Sequence, residues 1–208
     1  VRLTRGAMLR GYIDGRPHMI NAMRVALAVL VLFAGSAATA LNHAGVEIAP
    51  LVRPEGQTRP WPLLGSAVVN RSFIPFYGLA MHAPFDALEQ GDLGLGLTPL
   101  QITLVWYANA LPKEQVEEHF RKLYFQVTDE EARRRIGNRL EKFLALLPPA
   151  VRGQKIMFEY SPDGGMVVSA EGGGSEHFAG IDFNRGLLAM WLGPKADPEV
   201  RQGLTTAP

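Results

Sequence analysis

The sequence predicts an α+β fold with a mostly antiparallel sheet and a layer of helices. Strand-like segments come first along the chain, two amphipathic helices follow, and a hairpin with two further helices comes last. Strands and helices that are grouped in this way, rather than alternating, are typical of α+β proteins. Of the 208 residues, 47% are hydrophobic and 20% are charged, which is the composition of an ordinary globular domain.

Composition also narrows the classes of function. The chain has no cysteine, which excludes disulfides, thiolate zinc sites, iron–sulfur clusters and cysteine nucleophiles. Its 21 Lys and Arg residues are nearly matched by 20 Asp and Glu residues, for a formal charge of +1. Nucleic-acid binding depends largely on a concentrated positive surface, so we predict no nucleic-acid partner.

The first 40 residues have the pattern of a secretory signal peptide. Val25–Ala34 is an unbroken apolar run, Arg24 precedes it, and Ala37–Ala40 supplies the small residues of a cleavage site. The run is shorter than the roughly 20 apolar residues that a membrane-spanning helix needs. We therefore predict cleavage after Ala40, a periplasmic or secreted location, and no stable membrane anchor in the mature chain. An uncleaved anchor is the alternative.

The domain boundaries follow from this signal. Translation starts at Met19 or Met23 would each give a signal of normal length, which leaves residues 1–18 as a candidate start-site extension. Residues 41–208 are then predicted to form a single domain, in which no internal repeat is visible.

The first half of that domain reads as an arm and two strands. Leu41–Pro62 is rich in proline, glycine and charge, which favours a surface arm or edge element. Arg71–Ala83 is apolar on both alternating faces, as expected for a strand covered on both sides. Gln101–Ala108, rich in β-branched and aromatic residues, is the second clear strand.

Two amphipathic helices are predicted next. Pro112 at a first-turn position opens a helix over Lys113–Phe125, whose apolar residues recur at helical spacing. Thr128 and Glu131 form a capping-box pattern that opens a second helix over Asp129–Leu147. Each helix is expected to lie on the sheet with its charged side in water.

The period then returns to that of a strand. Lys155–Tyr160 and Met166–Ala170 flank a glycine-rich turn and predict a hairpin. A short strand is expected around His177–Ile181, and Asp182 is expected to cap the helix that follows. Asp197 is predicted to cap a last short helix.

Motifs for metal or cofactor chemistry are missing. No two histidines have the spacing of a metal-binding pair, and no Gly-x-Ser-x-Gly nucleophile motif occurs. The glycine runs Gly91–Gly96 and Gly172–Gly174 lack the Lys-Ser or Lys-Thr of a phosphate-binding loop, so they are interpreted as turns. We therefore predict no metal, no cofactor and no identified catalytic residue.

One polar and aromatic group remains as a candidate ligand site. In an extended strand Arg71 and Tyr77 share a face, and Tyr107 on the neighbouring strand could join them. A cation and a hydroxyl at the end of an apolar cavity suit a carboxylate or enolate with a hydrophobic body. The alternative is that Arg71 faces solvent at the strand edge and Tyr77 is a core residue.

Seven segments of the predicted domain form an ordered set of motifs. They include a glycine-containing turn, an aromatic strand, a strand followed by a helix, a hairpin, and a helix that ends in Trp-Leu-Gly. The segments are Leu64–Ser66, Phe73–His82, Ile102–Ala108, Leu111–Tyr124, Gly153–Ile156, Tyr160–Gly165 and Phe183–Gly193. In this order they resemble the chalcone isomerase-like family, specifically its bacterial exported branch.

This resemblance implies an open-faced β-sandwich of the chalcone isomerase type, with a ligand cleft between a large antiparallel sheet and a layer of helices. Plant members close a chalcone into a ring with an Arg, a strand Thr, a helix Tyr and an Asn. Carried onto this sequence, the Thr position falls on Tyr77 and the Arg position on Gly65. The helix positions fall near Gln115 and Lys122. Since such groups act as a unit, their loss argues against chalcone cyclisation.

Other members of the superfamily resemble fatty-acid-binding proteins, in which an Arg and a Tyr hold the carboxylate. Arg71 and Tyr77 are the pair that could take those parts here. We therefore interpret the chain as an exported, non-catalytic protein whose partner is a small apolar or acyl ligand, such as a fatty acid. The first alternative is an intramolecular lyase or isomerase that uses Tyr77 and Arg71 on an unknown enone. The second is a structural or partner-binding protein of the envelope.

Overall fold

The computed structural model describes residues 41–89 and 93–206, which form an antiparallel sheet with helices on one face. The strands are β1 (Leu41–His43), β2 (Val46–Ile48), β3 (Leu51–Val52), β4 (Trp61–Arg71), β5 (Ile74–His82), β6 (Leu100–Trp106), β7 (Ala110–Leu111), β8 (Ala150–Val151), β9 (Lys155–Ser161), β10 (Gly165–Ala170) and β11 (Gly174–Phe178). The main sheet has the order β11-β10-β9-β6-β5-β4-β3, with each neighbouring pair antiparallel. The predicted α+β class and antiparallel sheet are thereby confirmed. The predicted signal peptide lies outside the described residues.

The helices pack on one face of this sheet and bury the main core. They are α1 (Lys113–Val127), α2 (Glu130–Arg135), α3 (Arg139–Leu146), α4 (Ile181–Leu192) and α5 (Pro198–Thr205). α1 packs against α4, α3 against β11, and α5 against β4. None of the helices in the described residues is long and apolar enough to span a bilayer.

The central strand β6 shows how the two faces are built. Its even-numbered residues, such as Ile102 and Leu104, belong to the core beneath the helices. The odd-numbered Gln101, Thr103 and Val105 face the other side, and all three are also buried. Both faces of the central strands are therefore covered, as the apolar strand pattern predicts.

The hairpin of β1 and β2 covers part of the face opposite the helices. The ring of His43 lies against Gly78 so closely that a side-chain Cβ there would be 2.4 Å from the ring. Nε2 of His43 donates to the Leu79 carbonyl at 3.2 Å, which leaves Nδ1 as the acceptor for the Tyr107 hydroxyl at 2.9 Å. These contacts hold the arm against β5 and β6.

The predicted strand Arg71–Ala83 is wrong at its start, because the chain turns back there. Arg71 pairs with Ile74, so Ser72 and Phe73 form a two-residue hairpin loop between β4 and β5. Both have positive φ, 51° and 67°, which a type I′ turn requires and which usually selects glycine or asparagine. The loop therefore carries no sequence signal, and Arg71 lies on the strand next to that of Tyr77.

The predicted helix Asp129–Leu147 is wrong in its continuity. It divides into α2 and α3 around Gly137, whose φ of 58° belongs to the left-handed region. The cap is Asp129 rather than Thr128, because the Asp129 carboxylate accepts from the Ala132 amide at 2.7 Å. The Thr128 hydroxyl instead donates to the Tyr124 carbonyl.

Of the two helix caps predicted near the C-terminus, one is confirmed and one is wrong. The Asp197 cap of α5 is confirmed, since its carboxylate accepts from the amides of Glu199 and Val200. Asp182 lies within the first turn of α4 rather than at its cap, where Gly180 stands. The predicted strand near His177 is β11, which begins and ends three residues earlier than expected.

Candidate functional site

Arg71 lies at the junction of two cavities at one end of the sheet. It is the last residue of β4 and is exposed, and its guanidinium stands over the Phe76 ring at 5.6 Å. Arg71 and Phe76 line both cavities, one toward α1 and one toward the hairpin loop. Within residues 41–89 and 93–206, no carboxylate lies within ion-pair distance of Arg71.

The helix cavity lies between the sheet and α1 and has a volume of about 520 Å³. β4 and β5 form one wall and α1 forms the other. Its lining residues are Val69, Asn70, Arg71, Phe76, Gln115, Glu118, His119 and Lys122. On the α1 side, Lys122 is paired with Glu118 at 2.6 Å, and this pair lowers the pKa of the Glu118 carboxyl.

The tip cavity lies beside the β4–β5 hairpin and has a volume of about 670 Å³. Two arginines and a tyrosine ring stand among mainly apolar residues, and none of the described residues that line it is acidic. Its lining residues are Arg71, Ile74, Pro75, Phe76, Tyr107, Ala108, Asn109, Leu111 and Arg152. Both cavities are of the size that small-molecule sites have.

A buried hydrogen-bonded group lies behind the helix cavity. Tyr77 is 0% exposed, and its oxygen accepts from Nε1 of Trp191 at 3.2 Å. Nε2 of His119 lies 3.4 Å from the same oxygen, close enough for the phenolic proton to point toward the ring nitrogen. His119 therefore connects the buried phenol to the cavity.

His119 is held in its neutral form. Burial lowers its pKa to about 4, and the nearby charges of Arg71 and Lys122 act in the same direction. At neutral pH its unprotonated nitrogen can accept a proton or a hydrogen bond. Burial also raises the pKa of the Tyr77 phenol, so that group stays protonated.

Of the three residues predicted to bind a ligand, two line the same cavity and the third is buried behind it. Arg71 and Tyr107 do line one cavity, the tip cavity. Tyr77 does not reach it, because it lies under Phe76 with no exposed surface. The Tyr107 hydroxyl donates to His43, so the ring of Tyr107 faces the tip cavity while its proton is already used. A ligand-binding role for the three residues stays a prediction.

Two residues of the site escaped the sequence analysis. His119 was not among the candidate site residues, although it lies on the side of α1 that meets Phe76 and Tyr77. Arg152, from the turn after β8, donates to the Tyr107 carbonyl at 3.0 Å. The helical spacing of α1 could have placed His119 on the side that faces the sheet. The sequence around Arg152 contains no pattern that predicts its place in the site.

The space between the centres of the two layers is filled. Phe76, Tyr77, Trp106 and Phe120 make edge-to-face or tilted ring contacts in an unbroken group. All four are at most 6% exposed. The cleft is therefore confined to the end of the sheet and is open to solvent, rather than enclosed between sheet and helices.

A comparison with protein families assigns this architecture. Residues 40–204 match the family model described as chalcone isomerase-like. The chain belongs to that family. Its fold is also similar to that of a crystal structure of an Arabidopsis thaliana fatty-acid binding protein. The TM-score is 0.59 at 18% identity, with 78% of this chain and 92% of the other covered.

These comparisons confirm the open-faced β-sandwich expected from the sequence. At 18% identity the structural likeness establishes the fold alone. A comparison with curated proteins gives no significant match.

Three of the four positions that the family resemblance assigns to the plant reaction lie at the helix cavity, and the fourth is closed. Gln115 and Lys122 line the helix cavity, and Tyr77 lies behind it. Position 65 is closed, because a Cβ on Gly65 would lie 2.4 Å from the carbonyl oxygens of Gly203 and Leu204 in α5. The catalytic arginine of the chalcone isomerase pattern therefore has no room at that position. No group of His, Asp and Glu in the described residues is arranged to hold a metal ion.

Proposed function

We propose that this chalcone isomerase-like protein binds a small apolar molecule with a carboxylate, such as a fatty acid, without turning it over. The observation that carries the proposal is Arg71, whose guanidinium is shared by the two cavities and has no ion-pair partner among the described residues. A guanidinium binds a carboxylate through two parallel charge-assisted hydrogen bonds. Arg152 adds a second positive charge to the tip cavity.

The rest of the cleft supports an apolar ligand body. Ile74, Pro75 and Leu111 give the tip cavity an apolar wall next to the two guanidinium groups. Ile74 is 68% exposed, so this wall lies open to an incoming ligand. The fatty-acid binding protein of similar fold supports the same ligand class. Because the interior is filled, the ligand lies along the open cleft with its carboxylate at Arg71.

Substitution of Arg71 tests the proposal. Arg71→Ala is expected to weaken binding of 11-(dansylamino)undecanoic acid by about tenfold to a hundredfold, because a hydrogen bond to a charged group contributes about 1.5–3 kcal/mol. The melting temperature is expected to change little, since Arg71 is exposed and contacts mainly the Phe76 ring. Fluorescence titration and thermal unfolding measure the two quantities.

The matched control is Arg201→Ala, which removes another exposed guanidinium, on α5, that lines neither cavity. Its affinity for the probe should equal that of the parent chain. The methyl ester of the probe should bind the parent and Arg71→Ala equally. An unchanged affinity for the acid, or a large loss of stability, would remove Arg71 from the site.

A second candidate function rests on His119. The imidazole of His119 lines a cavity and is neutral, and in the tautomer whose Nε2–H points to the Tyr77 oxygen its bare Nδ1 can accept a proton as a general base does. The reaction would be an intramolecular addition or isomerisation of an enone. 2′-Hydroxychalcone is a direct probe: a cyclisation rate above background that falls at least tenfold in His119→Gln would support catalysis. A rate equal to the background leaves binding as the function.

We also propose that the protein belongs to the bacterial exported branch and acts in the periplasm or outside the cell. The apolar run Val25–Ala34 and the small residues before Leu41 support this. The family match begins at residue 40 and β1 at Leu41, so cleavage after Ala40 would leave the domain whole. The intact mass of the protein recovered from a bacterial periplasm should correspond to residues 41–208. A mass that retains the first 40 residues would contradict export by cleavage.

A further inference from the structure

We propose that the hairpin tip formed by residues 72–75, between β4 and β5, docks reversibly on the surface of an anionic lipid bilayer. Ser72 and Phe73 are the loop of this tip, and Ile74 and Pro75 begin β5. Phe73 is 101% exposed, Ile74 is 68% exposed, and Pro75 is exposed as well. Three consecutive exposed apolar residues add nothing to a hydrophobic core. Such a patch is typical of a surface that contacts a partner or a membrane.

Phe73 is an unfavourable residue for the loop that it occupies. Its φ of 67° lies in the left-handed region, which glycine and asparagine adopt with less strain than an aromatic residue does. The ring is fully exposed, so packing against the described residues does not offset that strain. Strain that is held without a gain in packing indicates a role outside the fold. The fold alone therefore does not account for a phenylalanine at this position.

The charges around the hairpin tip select an anionic partner. Arg71 and Arg152 line the tip cavity, whose wall includes part of the hairpin tip, and none of the described residues that line it is acidic. In the adjoining helix cavity Lys122 and Glu118 are paired with each other. This end of the sheet is therefore locally basic, whereas acidic residues outnumber basic ones over residues 41–208. Such a separation of charge orients the hairpin tip toward a negative surface.

A bilayer fits this combination better than a protein partner or a second copy of the chain does. Segments that bind at a membrane interface place apolar side chains at the boundary of the acyl chains and basic side chains among the phosphates. The hairpin tip offers both groups within a few residues. A stable protein interface buries about 800 Å² on each partner, which is more than three side chains supply.

Docking would also bring the proposed ligand site to the lipid phase. The tip cavity shares Ile74 and Pro75 with the hairpin tip, so a docked chain has this cavity at the bilayer surface. Molecules that combine an apolar body with a carboxylate are concentrated there, because the body enters the acyl region while the charge stays in water. Docking itself needs no bound ligand, so its failure and the failure of ligand binding are separate results.

Vesicle flotation tests the docking. The test uses residues 41–208, which contain every described element and leave out the apolar run Val25–Ala34, a segment that would bind lipid by itself. Vesicles of phosphatidylglycerol and phosphatidylcholine in equal parts are compared with vesicles of phosphatidylcholine alone, both free of fatty acid. Binding to the anionic vesicles is expected to be at least about tenfold stronger, because each arginine near such a surface contributes about fivefold. It should weaken as salt is added.

Phe73→Asn is the variant that removes the apolar group. It should lower binding to the anionic vesicles by about tenfold or more, because the ring no longer enters the bilayer. Since asparagine tolerates a positive φ, the melting temperature should stay the same or rise. The affinity of Phe73→Asn for 11-(dansylamino)undecanoic acid in solution should equal that of the parent, because Phe73 lines neither the tip cavity nor the helix cavity.

The matched control is Phe85→Asn. Phe85 is 76% exposed and follows the end of β5 that lies away from the hairpin tip, so it should leave vesicle binding unchanged. Equal binding of the parent to the two kinds of vesicle, or equal losses in Phe73→Asn and Phe85→Asn, would overturn the proposal. A dimer in sedimentation velocity that Phe73→Asn dissociates would assign the hairpin tip to a second copy of the chain instead. A loss of probe affinity in Phe73→Asn would assign Phe73 to the ligand site.

Discussion

Replacing Gly65 by alanine is expected to lower the free energy of unfolding by about 3 kcal/mol or more. The added Cβ would lie 2.4 Å from the carbonyl oxygens of Gly203 and Leu204. These are backbone atoms, which cannot rotate away as a side chain can, so α5 would have to move off β4. Urea unfolding at neutral pH measures the loss.

The control for this substitution is Gly174→Ala in strand β11, where the nearest atom to an added Cβ is 3.6 Å away and φ is not positive. It should change stability by less than about 1 kcal/mol. Gly203→Ala should behave like Gly65→Ala, because its Cβ would lie 2.6 Å from the Ser66 carbonyl oxygen. If Gly65→Ala and Gly174→Ala were equally stable, α5 would not pack on β4 as described.

Replacing Arg139 by methionine is expected to lower the free energy of unfolding by about 2 kcal/mol. Nη1 and Nη2 of Arg139 donate to the two carboxylate oxygens of Asp182, both at 2.9 Å. The same guanidinium donates to the carbonyls of Arg135, Ile136 and Ala179. It therefore ties the α2–α3 junction to the start of α4, and its loss leaves these acceptors without the donor. Urea unfolding of the parent chain and of Arg139→Met measures this decrease in the free energy of unfolding.

The matched control is Arg134→Met. Arg134 pairs with Glu130 one turn away on α2, and both side chains are mostly exposed. An exposed ion pair of this kind contributes little, so the change in stability should stay within about 0.5 kcal/mol. Equal effects of Arg134→Met and Arg139→Met would show that the Arg139 contacts add nothing beyond a surface charge pair.

The Arg139–Asp182 pair also predicts a pH dependence. The hydrogen bonds from Arg139 hold the pKa of the Asp182 carboxyl below its ordinary value. A carboxyl with a lowered pKa in the folded state stabilises the fold above its unfolded pKa, about 3.9, and loses that contribution as pH falls through the folded pKa. Asp182→Asn should therefore be less stable than the parent at pH 7, and the difference should shrink below pH 4.

Urea unfolding of both proteins between pH 7 and about pH 2 checks this dependence. Because Asp182 is partly exposed, solvent screening limits the difference at neutral pH to about 1 kcal/mol. A difference that grows as the pH falls would have the wrong sign for this pair.

The helices and the C-terminal hairpin were predictable because their signals are local. β9 and β10 alternate between core and surface residue by residue, and the predicted ranges differ from the observed ones by one residue at most. The predicted elements are wrong where the φ angle of a single residue changes the direction of the chain. Phe73 and Gly137 both turn the chain through positive φ, and only the glycine gave a hint of it.

The candidate site was predictable only in part, because it is assembled from distant segments. Arg71 and Tyr107 were chosen from one strand pattern each, and the sheet does bring them to one cavity. Tyr77 was assigned to the same face as Arg71, but the turn at Ser72 separates them onto two strands. Arg152 joins the cavity from a turn 45 residues beyond Tyr107, a separation that no local period can reveal.

The amino-acid sequence alone determined the α+β class, most strands and helices from Gln101 onward and their apolar faces, because spacing of two or 3.6 residues is set by local backbone geometry. It did not predict β4, the strand Trp61–Arg71. The tertiary structure alone decided which polar side chains are buried and which of them meet. Strand register places His82 and Gln101 opposite each other, and the packing of α1 on β5 brings His119 to Tyr77. These encounters depend on the pairing of residues far apart in the chain, so they become visible only once the sheet is assembled.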